Sequence, residues 1–144
     1  PEGFLFFTNY QSPKSKHIEE FPRVALTFFW KELHRQIRIQ GTALKVPDEI
    51  SDQYFDSRPE GSKLGAWASS QSEVIKSRKE LEEKIDQFRT KFRDTPIPRP
   101  THWGGFIVRP RELEFWQHRD DRLHDRILYK ALKDEGWTIQ RLSP

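Results

Sequence analysis

Cysteine is absent from the 144 residues, which excludes disulfides, thiolate nucleophiles and cysteine-ligated metals. Long apolar runs are missing too. No stretch approaches the roughly 18 residues of a membrane-spanning helix, and no signal peptide is visible. A chain with this profile is expected to be cytoplasmic, with no membrane partner. Excess charge of one sign is also lacking: Lys plus Arg number 25 against 22 acidic residues, a net of +3. That balance is too even for a nucleic-acid binder, whose affinity rests on many uncompensated phosphate contacts. Neither GxGxxG nor GxxxxGK[ST] occurs, so no phosphate loop is expected. No Gly-x-Ser-x-Gly is present to present a serine nucleophile. His17, His34, His102, His118 and His124 lack zinc-ligand spacing, so no metal is expected either.

What the chain has is aromatic mass. Only 34% of residues are hydrophobic, yet 13% are aromatic, including 11 Phe and 5 Trp. A core of few but large side chains suits a β-rich domain that completes its burial against another subunit. The length fits one domain, residues 1–144, large enough for a real core. The chain enters a strand almost at once, so it is expected to be the later part of a longer polypeptide.

GFLFFTNY (3–10) reads as a buried strand closed by the turn Gln11-Ser12-Pro13-Lys14. A short helix over 15–20 is stopped by Pro22. RVALTFFW (23–30) and HRQIRIQGTALKV (34–46) read as paired strands, with Ile37 and Ile39 on one face and Gln36, Arg38 and Gln40 on the other. Pro47-Asp48-Glu49 opens a helix that runs to Ser57, with proline in its first turn and acids at the positive end of the dipole. Residues 61–72 read as a second short helix and a polar loop. Residues 76–93 carry Leu81, Ile85, Phe88 and Phe92 on one stripe, a packing helix. After the proline-stiffened connector 95–103, WGGFIVRP, RELEFWQ, RLHDRILYK and WTIQRLSP read as four strands of a meander. The sum, about seven strands and three helices with the helices inserted between hairpins, indicates an α+β barrel.

The most informative stretch is FWQHRDDRLHDR (115–126). If 122–130 is a strand, Arg122, His124 and Arg126 share a face at spacings of about 6.6 Å. Cations so placed want a phosphate, a carboxylate or a heteroaromatic ring over them, and Trp116 nearby would wall a ring pocket. The plainer alternative is a solvated edge-strand face. Tyr54, Arg58 and Ser62, four apart around a helix end, would suit one phosphate, against the alternative of ordinary capping. Gln71, Ser72, Ser12 and Lys14 are loop-borne donors. Gln36 would offer its amide to the edge of a flavin or pyrimidine, or be a satisfied inward glutamine.

Together these residues resemble the pyridoxine (pyridoxamine) 5'-phosphate oxidase family. The resemblance is carried by GFLFFTN (3–9), FFWKELHRQIRIQG (28–41), YFDSRPEGSKLGAWASSQS (54–72), HWGGF (102–106), FWQ (115–117), RLHDR (122–126) and WTIQRLSP (137–144). It implies a homodimeric FMN-binding split β-barrel, with flavins in clefts at the subunit interface. The implied reaction oxidises pyridoxamine or pyridoxine 5'-phosphate to pyridoxal 5'-phosphate by hydride transfer to flavin, with O2 as acceptor and peroxide as product. Carried over, FMN would fall to Phe7, Thr8, Lys14, Gln36, Gln71, Ser72, Trp116 and Arg126. Substrate phosphate would fall to Tyr54, Arg58 and Ser62, and the pyridine ring to Arg122 and His124, the residues expected to act in catalysis.

Three departures stand out. The family's first strand, Arg-x-Val-Leu-Leu-Lys, is missing from this chain. Its Ser-Arg-Lys-Gly turn reads Ser12-Pro13-Lys14-Ser15 here, one phosphate-binding cation fewer. The glycine after FWQ is His118, a demanding replacement if that position needs φ > 0. The alternatives to the oxidase are a phenazine-biosynthesis-type flavin oxidase and a non-catalytic flavin or pyridoxal-phosphate binding module.

Overall fold

The computed structural model describes residues 3–134 and 136–144. In chain order the elements are β1 (Phe4–Asn9), α1 (Pro13–Glu20), β2 (Arg23–Trp30), β3 (Arg35–Lys45), α2 (Asp48–Asp56), α3 (Glu60–Ala68), α4 (Arg78–Lys91), β4 (Trp103–Gln117), a 3-10 turn (Asp120–Arg122), β5 (Asp125–Ala131) and β6 (Trp137–Leu142). The fold is α+β, as expected. The strands run in the order β2-β3-β4-β5-β6, and β1 pairs with β4. The chain divides into two compact units, taken here one at a time.

The first unit holds Phe4, Phe21–Leu44 and Val108–Pro144. The β2–β3 hairpin pairs antiparallel from Arg23↔Thr42 to Trp30↔Arg35. It turns through residues 31–34, where His34 adopts φ 48° and its N–H returns to the Lys31 carbonyl at 3.1 Å. The period-2 reading of β3 holds: Ile39, Gly41 and Ala43 are buried, while Arg38 and Gln40 are exposed. Gly41 is there for closeness. A Cβ at that position would stand 2.3 Å from the Arg109 carbonyl oxygen, so no other residue lets β3 and β4 pack at this spacing. β5 pairs with β4 from Glu112↔Lys130 to Gln117↔Asp125, and with β6 from Arg126↔Leu142 to Ala131↔Trp137.

Two strand expectations are corrected in this unit. WGGFIVRP and RELEFWQ are one strand of 15 residues, not two. Pro110 removes a ladder donor but its fixed φ is compatible with extended chain, so Arg109-Pro110 does not turn. The segment RLHDRILYK is not a strand from 122: β5 begins at Asp125. Asp121 (φ 54°) and Arg122 (φ 61°) lie in the left-handed region, and His124 accepts the Arg119 N–H on Nδ1 at 3.2 Å. Arg122, His124 and Arg126 therefore do not alternate along one strand. His118 is not among the positive-φ residues. The left-handed positions fall three and four residues later, so the strain expected of replacing glycine there does not arise.

The second unit holds Leu5–Glu20 and Lys45–Ile107. Its centre is apolar: Phe55, Leu64 and Phe106 are at most 1% exposed. Phe106 stacks on Phe6 at 5.5 Å and meets the edge of Tyr10 at 5.4 Å. The first helix starts two residues earlier than expected, with Pro13 at its first position, where a missing N–H costs nothing. Buried Ser12 and Ser15 face each other at 3.1 Å, and Ser15 Oγ donates to the Asn9 carbonyl at 2.8 Å. α4 is capped by Ser77, whose Oγ accepts the Glu80 N–H at 3.3 Å. Its stripe of Leu81, Ile85, Phe88 and Phe92 is half-buried, and Trp67 packs on Phe88 and Phe92 at 5.5 and 5.4 Å. With α1 to α4 the described residues hold four helices and six strands, against the three and about seven expected.

Candidate active site

In the second unit, β1, α2 and the first residue of β4 bring three rings into register. Phe7 stacks on Tyr54 with centroids 3.9 Å apart and planes 10° apart. Trp103 lies parallel to both, 5.6 Å from Phe7 and 6.2 Å from Tyr54. The Arg58 guanidinium lies over the Trp103 ring at 4.6 Å and over Phe55 at 5.6 Å. Its Nη1 is buried with no hydrogen-bond partner. Burial pushes the Arg58 pKa down, opposed by the neighbouring Tyr54 phenol. A buried cationic donor with nothing to bond is a costly arrangement unless an anion takes the position.

These residues line one groove of about 580 Å³ with Leu5, Phe6, Thr8 and Gln71. Thr8 Oγ1 donates to Gln71 Oε1 at 2.9 Å; Lys14 Nζ donates to Thr8 Oγ1 and, at 3.2 Å, to Gln71 Oε1. Burial lowers the Lys14 pKa. The structure thus gathers Phe7, Thr8, Lys14, Gln71, Tyr54 and Arg58. Tyr54 is in the last turn of α2, Arg58 lies between helices, and Ser62 sits in the first turn of α3, so the trio straddles two helices instead of one helix end. Ser62 and Ser72 do not line the groove. Ser72 is exposed and left-handed, φ 68°.

The first unit has a groove of about 460 Å³ with a mostly apolar lining, including Trp30, Ile37, Phe115, Trp116 and Ile127, with the Gln36 amide among them. A flat aromatic ring with one polar edge suits such a groove. Beside Trp116 the His124 ring lies at 4.7 Å and His118 at 6.1 Å. His118 also stands 5.1 Å from His124 and 5.6 Å from His34. Among the described residues no group of three or more His, Cys, Asp or Glu is placed to hold a metal. Arg126 donates from Nε to Glu114 Oε1 at 2.7 Å and from Nη1 to the Ser143 carbonyl at 3.0 Å. The bond to Glu114 outweighs burial and raises its pKa. Arg122 is exposed.

Sequence reasoning assigned no role to Trp103, the ring on which Arg58 rests. Its position in HWGGF, directly after the proline-rich connector, was the available signal: a large aromatic residue opening a strand beside two glycines. A larger cleft of about 670 Å³ lined by Asp56, Glu60, Lys63, Asp86, Arg89 and Arg93 carries balanced charge and none of the expected site residues.

This fold is that of the FMN-binding split barrels. Among solved structures, PhzG from Burkholderia lata 383, in complex with tetrahydrophenazine-1-carboxylic acid, superposes with a TM-score of 0.90 at 27% identity, covering 99% of this chain and 69% of that one. A pyridoxamine 5'-phosphate oxidase-related, FMN-binding protein from Nostoc punctiforme PCC 73102 shares the fold at a TM-score of 0.75 and 15% identity, over 97% and 72% of the two chains. Residues 1–92 match the family model described as pyridoxamine 5'-phosphate oxidase, and residues 103–144 match the pyridoxine 5'-phosphate oxidase C-terminal dimerisation region. The chain belongs to the pyridoxamine 5'-phosphate oxidase family. A pyridoxine/pyridoxamine 5'-phosphate oxidase of Nostoc sp. PCC 7120 is 54% identical over 143 residues, 99% of this chain and 67% of the relative. One from Flavobacterium johnsoniae UW101 is 57% identical over 142 residues, 99% and 66%. The chain spans about two thirds of the length of these curated relatives. No helix among the described residues is long and apolar enough to cross a membrane.

Proposed function

We propose that the protein is an FMN-dependent oxidase, active as a homodimer, that converts pyridoxamine or pyridoxine 5'-phosphate to pyridoxal 5'-phosphate with O2 as acceptor. The observation that carries the phosphorylated substrate is Arg58: a guanidinium held over the Trp103 ring with a buried, unpartnered Nη1. Tyr54, on the same groove, would supply a phenol; Ser62, outside it, is assigned a hydroxyl contact on the resemblance alone. FMN, when bound, supplies the acceptor for the hydride leaving the substrate carbon, and O2 then takes the electrons to give hydrogen peroxide.

The residues present fit that cofactor. Gln36 and Trp116 in the apolar groove of the first unit suit the isoalloxazine ring. Phe7, Thr8, Lys14 and Gln71 add a ring, a hydroxyl, an amide and a cation; Ser72, outside the groove, is assigned to FMN on the resemblance alone. Arg126 would bring its guanidinium, already anchored by Glu114, to the flavin. Arg122 and His124 are assigned to the pyridine ring, Arg122 as a planar cation over its face and His124 as a hydrogen-bond partner for its substituents. His124 Nδ1 is occupied as an acceptor, so Nε2 is the atom left to donate.

Arg126→Ala is expected to raise the FMN dissociation constant about tenfold to a hundredfold, as loss of a charge-assisted bond implies, and to leave the KM for substrate within about twofold. Fluorescence titration of the apoprotein with FMN measures the first and steady-state kinetics the second. The function itself is tested by comparing pyridoxamine 5'-phosphate with pyridoxamine. A preference of about a hundredfold or more in kcat/KM for the phosphorylated form is expected; equal turnover would overturn the assignment. A phenazine-type substrate draws support from the likeness to PhzG at 27% identity. The 54–57% identity to phosphate oxidases and the open Arg58 Nη1 favour the phosphorylated substrate.

A further inference from the structure

Arg99 lies in the connector before β4, and its side chain is only 11% exposed. All three of its nitrogens donate. Nε bonds Asp52 Oδ1 at 2.6 Å, Nη2 bonds Asp48 Oδ1 at 2.7 Å, and Nη1 bonds the Trp103 carbonyl at 2.7 Å. Asp48 and Asp52 are one helical turn apart on α2, so they present both carboxylates to one edge of the guanidinium. Burial would lower the Arg99 pKa, but the bonds to Asp52 and Asp48 outweigh it and raise it.

As a stabilising device this arrangement is poor. The two carboxylates are 79% and 55% exposed, and ion pairs to such groups contribute little in water. Sinking the guanidinium carries a desolvation cost as well. The third bond accounts for the arrangement. It grips the backbone of Trp103, the residue whose indole carries Arg58 on its face and stacks with Tyr54 and Phe7. Arg58 itself has no ion pair among the described residues, so the indole plane sets where its guanidinium lies. Arg99 thus ties the start of β4 to α2, the helix that delivers Tyr54 and Phe55.

We infer that Arg99 is a positioning residue: by fixing Trp103 against α2 it sets the Arg58 guanidinium at the height needed to grip the substrate phosphate. This rests on the assignment of Arg58 to that phosphate. A lysine at 99 would keep the charge but not the three-way fork.

The test is steady-state kinetics of the flavin-loaded enzyme with pyridoxamine 5'-phosphate, run on R99A, R99K and R58A together with thermal melts and FMN titrations. R99A is expected to raise KM about tenfold while kcat and the FMN dissociation constant stay within about twofold. R99K is expected to keep most of that rise despite a normal melting temperature. A purely structural role would lower the melting temperature and the flavin-loaded fraction and leave KM per loaded site unchanged. If R58A raises KM and R99A does not, the inference about Arg99 fails alone. If R58A leaves KM unchanged, the phosphate assignment fails and takes the inference with it. Should R99A not fold, R99K is read alone: a raised KM at a normal melting temperature supports the role and an unchanged KM overturns it.

Discussion

Arg58→Ala is expected to raise the KM for pyridoxamine 5'-phosphate about tenfold to a hundredfold and to leave FMN affinity unchanged. The size follows from the bond that is lost. A charge-assisted hydrogen bond contributes about 1.5–3 kcal/mol, and Arg58 has a buried donor waiting for one. Burial already disfavours the charged guanidinium, so the free protein carries a penalty that phosphate relieves. The phosphate is remote from the carbon that reacts, so the loss falls on binding and appears in KM more than in kcat. Steady-state kinetics beside an FMN titration separates the two effects. If Arg58→Ala and Arg126→Ala both change only FMN affinity, the proposed division between substrate and cofactor residues is wrong.

Arg122→Ala is expected to cut the rate of anaerobic flavin reduction by pyridoxamine 5'-phosphate about a hundredfold, the scale of a lost positioning contact. Flavin content and dimerisation should stay intact. The backbone supports a functional role. Asp121 and Arg122 both sit in the left-handed region, at φ 54° and 61°. Each such non-glycine residue costs on the order of 1–2 kcal/mol, and strain of this kind gathers at functional sites. The turn ends with Arg122 exposed, four residues before Arg126 in the strand. His124→Ala should give a smaller loss, because the role proposed for its ring is to hydrogen-bond the substrate's substituents and not to cover its face. Stopped-flow absorbance of the bound flavin is the measurement. An unchanged reduction rate in the Arg122 variant removes that residue from the active site.

Where local chemistry decided the structure, the sequence was legible. β2 runs over 23–30 as read, because an apolar and aromatic run ends at a polar turn, and α4 keeps its apolar stripe. Two features defeated that kind of reading. Arg109-Pro110 looks like a break, but β4 passes through it, because a proline's φ fits an extended strand. RLHDR looks like alternating strand, but two left-handed residues and a backbone bond to His124 hold its first half as a turn. For the candidate site, chemistry and resemblance pointed to Tyr54, Arg58, Phe7 and Gln71, and the structure puts those four on one groove. Trp103 and Arg99 were missed because their importance lies in contacts across tens of residues: Arg99 reaches Asp52 and Asp48, 47 and 51 positions back. No local pattern signals such a bond.

Oxidase activity is most directly tested by mixing the FMN-loaded protein with pyridoxamine 5'-phosphate in air and following pyridoxal 5'-phosphate and hydrogen peroxide together. One peroxide should appear for each aldehyde formed, over many turnovers, and both should cease when oxygen is removed. Stoichiometric FMN binding with neither product would contradict the oxidase and leave a flavin-binding module.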